Sequence, residues 1–298
     1  MKDSWLAKRL PDWAHPRSPL VANSLRIGGL GEYRVNRFIA FVLAQVLSIW
    51  VIIAILLPIF GAFLFAAGRQ FFSIITFATL ILSAPLMMIA SEALFIRLWL
   101  ATPGRSSDLI AGEVQRRTWD IIRSTPYPRH QLVLAKFASL GWMAEPTLTY
   151  IVVMRSLFIL GLFSFRFLEE PSPAGLGWII WAIVMWVSPM LEIFAIFSIG
   201  IFVSSRVTSP RQSNLLSLIS QAAYRLLSVA LLISVFAKFD TPFLAPLIAF
   251  PHWALLPIGR TMYYSGSFLA GIIISFLILP LIVGIGLLWI TVQRVQNQ

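Results

Sequence analysis

WIIWAIVMWVSPMLEIFAIFSIGIFV, residues 178–203, carries a single ionisable side chain, Glu192, in 26 positions. As a helix it rises about 39 Å, enough to cross the roughly 30 Å hydrocarbon core of a bilayer. A helix apolar on every face needs burial on every face, in a protein core or in lipid. Five further stretches meet the same length requirement: roughly 38–60, 71–96, 141–165, 215–237 and 267–290. The 298-residue chain is 58% hydrophobic and only 12% charged, about half the charge of a soluble domain. Its mean hydropathy is +0.84. These features predict an all-α, polytopic membrane protein with six transmembrane helices.

The basic residues set the expected orientation. The N-terminal segment, 1–37, holds seven Lys and Arg, and the connection from the second to the third span, 97–136, holds seven more. Arg206, Arg211 and Arg294 fall on the same side, whereas Arg69, Arg166, Lys238 and Arg260 fall on the other. By the positive-inside rule both termini are cytoplasmic, in what is expected to be the cell (inner) membrane. The net charge of +11 is thereby a topology signal with an attraction to anionic lipid, and no nucleic-acid partner is needed to explain it. Residues 1–37 read as a basic segment lying on that lipid surface, and 38–298 as the membrane domain. Residues 239–266, broken by Pro242, Pro246, Pro251 and Pro257, read as an external re-entrant element.

The densest polar pattern is IAGEVQRRTWDIIRSTPYPRHQLVLAK, residues 110–136. Pro103, Gly104 and two serines are predicted to end the second helix, and Asp108 to cap an amphipathic helix over 109–123. Pro126 and Pro128 then break the chain before a helix leads into the third span. A short cytoplasmic helix, an elbow and a second helix result.

Those residues carry a resemblance. Glu113, a basic run, Thr118, an apolar stretch, Ser-Thr-Pro at 124–126 and Lys136 heading a span resemble the permeases of type-2 ATP-binding-cassette transporters. That family has glycine where Arg117 stands before the threonine, and glycine where Ala135 precedes the lysine. The resemblance implies that the short helix is a coupling helix docking on a separate nucleotide-binding ATPase subunit. Glu113, Arg116, Arg117, Thr118, Trp119 and Asp120 become the expected docking residues. It also implies a second permease chain, a homodimer or a related permease, completing a translocation pathway for export. ATP and Mg are expected in the partner, because none of the four lysines here follows a glycine and no phosphate-binding G-x-x-x-x-G-K motif exists.

Within the spans, an ionisable residue costs about 2.5–3.5 kcal/mol and needs a partner or water. Glu192 and Arg225 lie equally far from the turn at 207–210, so they are predicted to form an intramembrane ion pair. Arg155 is deep enough to compete for Glu192, while Glu92 and Glu145 are expected nearer the interface. Ser213, Ser217, Gln221, Tyr224 and Ser228 form one polar stripe, and Thr76, Thr79 and Ser83 another. In the resembled family these two spans line the route; the competing reading is close helix packing through small polar residues. Cysteine is absent and the three histidines are scattered, so no metal or catalytic constellation is expected. An ion-coupled secondary transporter using Glu192, Arg155 and Arg225, or a non-transporting membrane anchor or assembly subunit, are the alternatives.

Overall fold

Every regular element in the computed structural model, which describes residues 11–27, 45, 69–169, 176–236 and 273–297, is helical. A short turn, Asp12–Ala14, precedes α1 (Pro19–Ile27). Then follow α2 (Arg69–Ser107), α3 (Ala111–Gln115), α4 (Trp119–Arg123), α5 (Arg129–Glu169), α6 (Leu176–Ser204), α7 (Pro210–Phe236) and α8 (Leu279–Asn297). One π-helical turn, Ile274–Ile278, leads into α8 just ahead of Pro280, whose missing N–H favours such a widened turn.

Among the described residues, four segments are long and apolar enough to cross a membrane: Leu86–Gln115, Ala182–Ser204, Pro210–Leu231 and Ile274–Gln296. This is the pattern of an integral membrane protein. The third expected span falls within the 41-residue helix α5, which is not among the four. Except for Gln45, the first expected span, 38–60, lies outside the described residues, as does the element expected over 239–266.

The hydrophobic driving force reverses along α7, as lipid requires. Its polar residues Ser213, Ser217, Gln221, Tyr224 and Ser228 are buried, while Leu215, Leu216, Ile219, Leu226 and Leu227 are exposed. On α8, Ile282, Ile285 and Trp289 likewise face outward. An aqueous surface would not sustain such a continuous apolar face. The central helix is α6: 61% of its spanning window is buried, against 28% for α7 and for α8. It packs on α2, α5, α7 and α8, and the main core joins Phe95 and Leu98 of α2, Ile151 and Met154 of α5, and Ile193 and Phe197 of α6. At Gly200 the α6 backbone passes so close to α2 that an added Cβ would sit 2.6 Å from Ser106 Cβ. Small residues permit this approach, as in other membrane helix pairs.

Three sequence expectations change. The helix α2 runs through Pro103 and Gly104 and ends only at Ser107, the second of the two serines expected to help stop it, because its end is packed against the bundle. Its last carbonyls are met by hydroxyls: Thr102 Oγ1 donates to Leu98 O (2.8 Å), Ser106 Oγ to Pro103 O (3.2 Å) and Ser107 Oγ to Gly104 O (2.7 Å). The predicted single helix over 109–123 is instead two short ones, α3 and α4, parted by a turn at Arg117. Finally, the N-terminal segment does more than lie on lipid. Leu20 and Val21 of α1 pack on Leu132, Ala135 and Trp142 of α5, and Trp142 Nε1 donates to Ala14 O at 2.9 Å.

These contacts place several connections at one end of the bundle. Ser204 at the end of α6 meets the backbone of Ile110 and Ala111, and Arg129 Nη1 at the start of α5 donates to Gln296 O near the end of α8 (2.9 Å). The loop holding α3 and α4 thus shares its end with α1, the turn after α6 and the C-terminal end of α8.

Candidate functional site

The turn between α3 and α4 is built from hydrogen bonds that few sequences make without glycine. Thr118 N donates to Glu113 O (3.0 Å) and Arg117 N to Val114 O (3.0 Å), the paired bonds of a Schellman helix ending. The residue in the middle of that motif must take the left-handed conformation, and Arg117 does so with φ 61°. The described residues contain no other non-glycine residue with positive φ. An L-residue there costs about 1–2 kcal/mol, so the surrounding structure holds the turn against its preference. The Thr118 hydroxyl adds a further bond to Glu113 O at 3.2 Å.

What holds the turn is visible on both sides of it. Glu113 is buried and its Oε1 is ion-paired with Lys136 Nζ, also buried, near the start of α5. Lys136 Nζ donates as well to Ser24 Oγ of α1 (3.0 Å), so one ammonium ties the loop, α5 and the N-terminal helix. Burial lowers the Lys136 pKa from its ordinary value, and the Glu113 carboxylate opposes that shift by favouring the charged form. On the other flank Trp119 is buried in the main core.

The predicted Asp108 cap is not made. The backbone N–H groups of Ile110 and Ala111 donate instead to Ser204 Oγ (3.3 and 3.1 Å), whose own hydroxyl donates to Ser107 O at 3.3 Å. A residue of α6, more than ninety positions away in the chain, therefore closes the start of α3. No local sequence signal marks Ser204 for this role.

The six expected docking residues thus divide. Glu113 and Trp119 face inward and position the loop; Thr118 is half-buried; Arg116, Arg117 and Asp120 are exposed. They are joined on the surface by Ile121, 67% exposed. The exposed face is therefore mixed, with two guanidinium groups, one carboxylate and one bare aliphatic side chain.

Deeper in the bundle lies a charge network drawn from four helices. Arg225 Nη1 of α7 meets Glu192 Oε1 of α6, and the Arg225 guanidinium also lies over the Phe95 ring at 5.7 Å. Arg155 of α5, which the sequence offered as a rival for Glu192, is paired with Glu92 Oε1 of α2. Arg155 is wholly buried and uses its other donors on Ser91 Oγ (3.1 Å), Met185 O (2.9 Å) and Ser188 Oγ (3.4 Å). Glu92, expected near the headgroups, is 1% exposed. The helix continues to Ser107, so Glu92 stands about 22 Å before its end.

The stripe of Ser217, Gln221, Tyr224 and Ser228 faces the interior. Gln221 Nε2 donates to Ser217 Oγ (3.2 Å), and Tyr224 packs with Ala195, Ile199 and Val203 of α6. These residues are placed as helix-packing residues in this arrangement of one chain. Among the described residues, Ser213 Oγ, Gln221 Oε1 and Tyr224 Oη have no hydrogen-bond partner, although each is buried. Thr76, Thr79 and Ser83 fall on the part of α2 where only the helical backbone is described.

No group of three or more metal-ligating side chains occurs among the described residues. No family model matches the chain, and neither a curated protein nor a solved structure matches it.

Proposed function

We propose that the chain is the membrane permease subunit of an ATP-binding-cassette exporter and forms half of a pathway driven by a separate ATPase. The observation that carries this reading is the conformation of Arg117. The resembled motif has glycine before its threonine, and residue 117 adopts the left-handed backbone for which glycine is the natural residue. The pairing of Glu113 with Lys136, the first and last residues of that motif, adds support.

In this reading the ATPase docks on Arg116, Arg117, Asp120 and Ile121. Its closure on ATP and Mg presses the loop, and the push reaches α5 through Glu113–Lys136 and α6 through Ser204. Transport follows only because ATP binding favours one arrangement of two permease chains over another. The second chain is a copy of this one or a related permease. The buried stripe on α7 becomes part of the pathway when α7 parts from α6. Both termini then face the cytoplasm, and the chain itself performs no catalysis.

The test is affinity capture of the tagged chain from native membranes, comparing wild type with Arg116→Glu/Asp120→Arg and with Ile121→Asp. Both variants alter exposed side chains and leave the Glu113–Lys136 anchor intact. A Walker-type ATPase captured with wild type and lost with the variants is the expected result. Repeated capture without any ATPase overturns the proposal. The four-helix charge network favours a second reading, ion-coupled secondary transport. Uptake or efflux that continues without ATP and stops when the ion gradient collapses would select it.

A further inference from the structure

A groove of about 550 Å³ runs along α5 at its junction with the N-terminal turn and α6. Phe137, Trp142 and Leu148 of α5, Trp13 of the N-terminal turn and Met190 of α6 line it. The volume is that of a site for one drug-sized molecule. Its aromatic walls are fixed before any ligand arrives. The Trp142 indole is held by its bond to Ala14 O (2.9 Å), which also holds the groove's rim. Phe137 is held by edge contacts to Phe194 (centroids 5.3 Å apart) and Phe197 (6.1 Å). Rigid walls of this kind lower the ordering cost of binding.

Glu145 is the one ionisable residue that lines this apolar groove. Glu92, Glu113 and Glu192 are each joined to an arginine or lysine. Glu145 has no hydrogen bond or ion pair to its side chain among the described residues. Even the nearby Thr149 hydroxyl turns to the Glu145 main-chain carbonyl (2.8 Å) rather than to its carboxylate. An unmatched carboxylate on a membrane helix, set among aromatic faces, is the complement of a positive charge carried on an apolar body. A lone carboxylate with apolar neighbours offers too few oxygens for a metal ion.

We infer that this groove binds a lipophilic organic cation, with Glu145 as its counter-charge and Trp13, Phe137 and Trp142 as its walls. The inference concerns this chain alone and stands whether or not an ATPase docks on the loop.

The experiment uses the purified full chain in phosphatidylcholine nanodiscs and radiolabelled tetraphenylphosphonium, with empty discs as the partition baseline. Tetraphenylborate, the same shape with the opposite charge, is the paired probe. Saturable binding of the cation at one site per chain is expected, with none for the anion. Glu145→Gln should raise the Kd at least about tenfold, and Glu145→Asp should leave it within about threefold. Met190→Trp fills the groove without touching the charge and should weaken binding to a similar degree. It decides the matter if Glu145→Gln loses the fold. Absence of saturable binding overturns the inference, as does equal binding of the anion, which would mark a general apolar or lipid-filled groove. An unchanged Kd in a folded Glu145→Gln or in Met190→Trp overturns it too.

Discussion

Removing the Glu92 carboxylate while leaving Arg155 in place strands the most deeply buried charge of the bundle. Arg155 has no exposed surface and Glu92 only 1%. Breaking a buried pair from one side costs about 3–5 kcal/mol, because the remaining ion has lost both water and counter-charge. Here Nε and Nη1 keep three neutral acceptors, Ser91 Oγ, Met185 O and Ser188 Oγ, so the loss for Glu92→Leu belongs at the low end, about 3 kcal/mol. Arg155→Leu should also be destabilising, because it removes the charge paired with Glu92. The double variant removes both charges together and leaves a packing change between α2 and α5, so it should be less destabilised than the sum of its parents. The expected coupling is at least about 2 kcal/mol. Reversible unfolding of the four proteins in mixed micelles, titrated with a denaturing detergent, measures the cycle. Single effects that add to the double within about 0.5 kcal/mol would refute the pairing as an energetic partnership.

Three further outcomes are expected. Arg117→Gly should be more stable than Arg117→Ala by about 1 kcal/mol, since both remove the guanidinium but only glycine relieves the left-handed backbone; unfolding of the two variants compares them. Ser204→Ala leaves the Ile110 and Ala111 N–H groups without their acceptor, at about 1–3 kcal/mol, and should appear as faster hydrogen exchange or proteolysis over residues 109–123. Because the chain has no cysteine, single substitutions report accessibility directly. Arg116→Cys should react quickly with a water-soluble maleimide, whereas Ser217→Cys should react slowly in the isolated chain and faster once an ATPase drives the pathway open. Rapid labelling of Ser217→Cys in the resting chain would show that the stripe faces water at all times.

What the sequence made legible were the features governed by composition and spacing. Long apolar runs marked the helices of α6 and α7, and equal distance from the turn at 207–210 brought Glu192 and Arg225 to one level, where the structure has them paired. Features set by tertiary contact were not legible. Pro103 and Gly104 are strong local stop signals, yet packing and three side-chain hydroxyls carry α2 past them to Ser107. The loop's polar residues all stood out, but their division could not be read from one helical period, because the break at Arg117 resets the face between α3 and α4. Glu113 looks like a surface acid until Lys136, itself bonded to Ser24, is brought to it. Ser204 looks like any serine at a helix end.

The order of the buried charges along the chain bears on how the protein enters its membrane. Each of α2, α5, α6 and α7 brings one member of the network, and a helix held alone in lipid with such a charge bears about 2.5–3.5 kcal/mol of insertion cost. Glu92 is answered by the next long helix to be synthesised, which carries Arg155; Glu192 is answered by the next one after its own, which carries Arg225. A nascent chain therefore never holds more than one unanswered span of the network at a time. The order of pairing favours insertion as two hairpins, one turning through the α3–α4 loop and one through the short turn after Ser204. A chain arrested between the members of either hairpin leaves an orphan charge in the bilayer, a mark by which membrane quality control can recognise an unfinished protein.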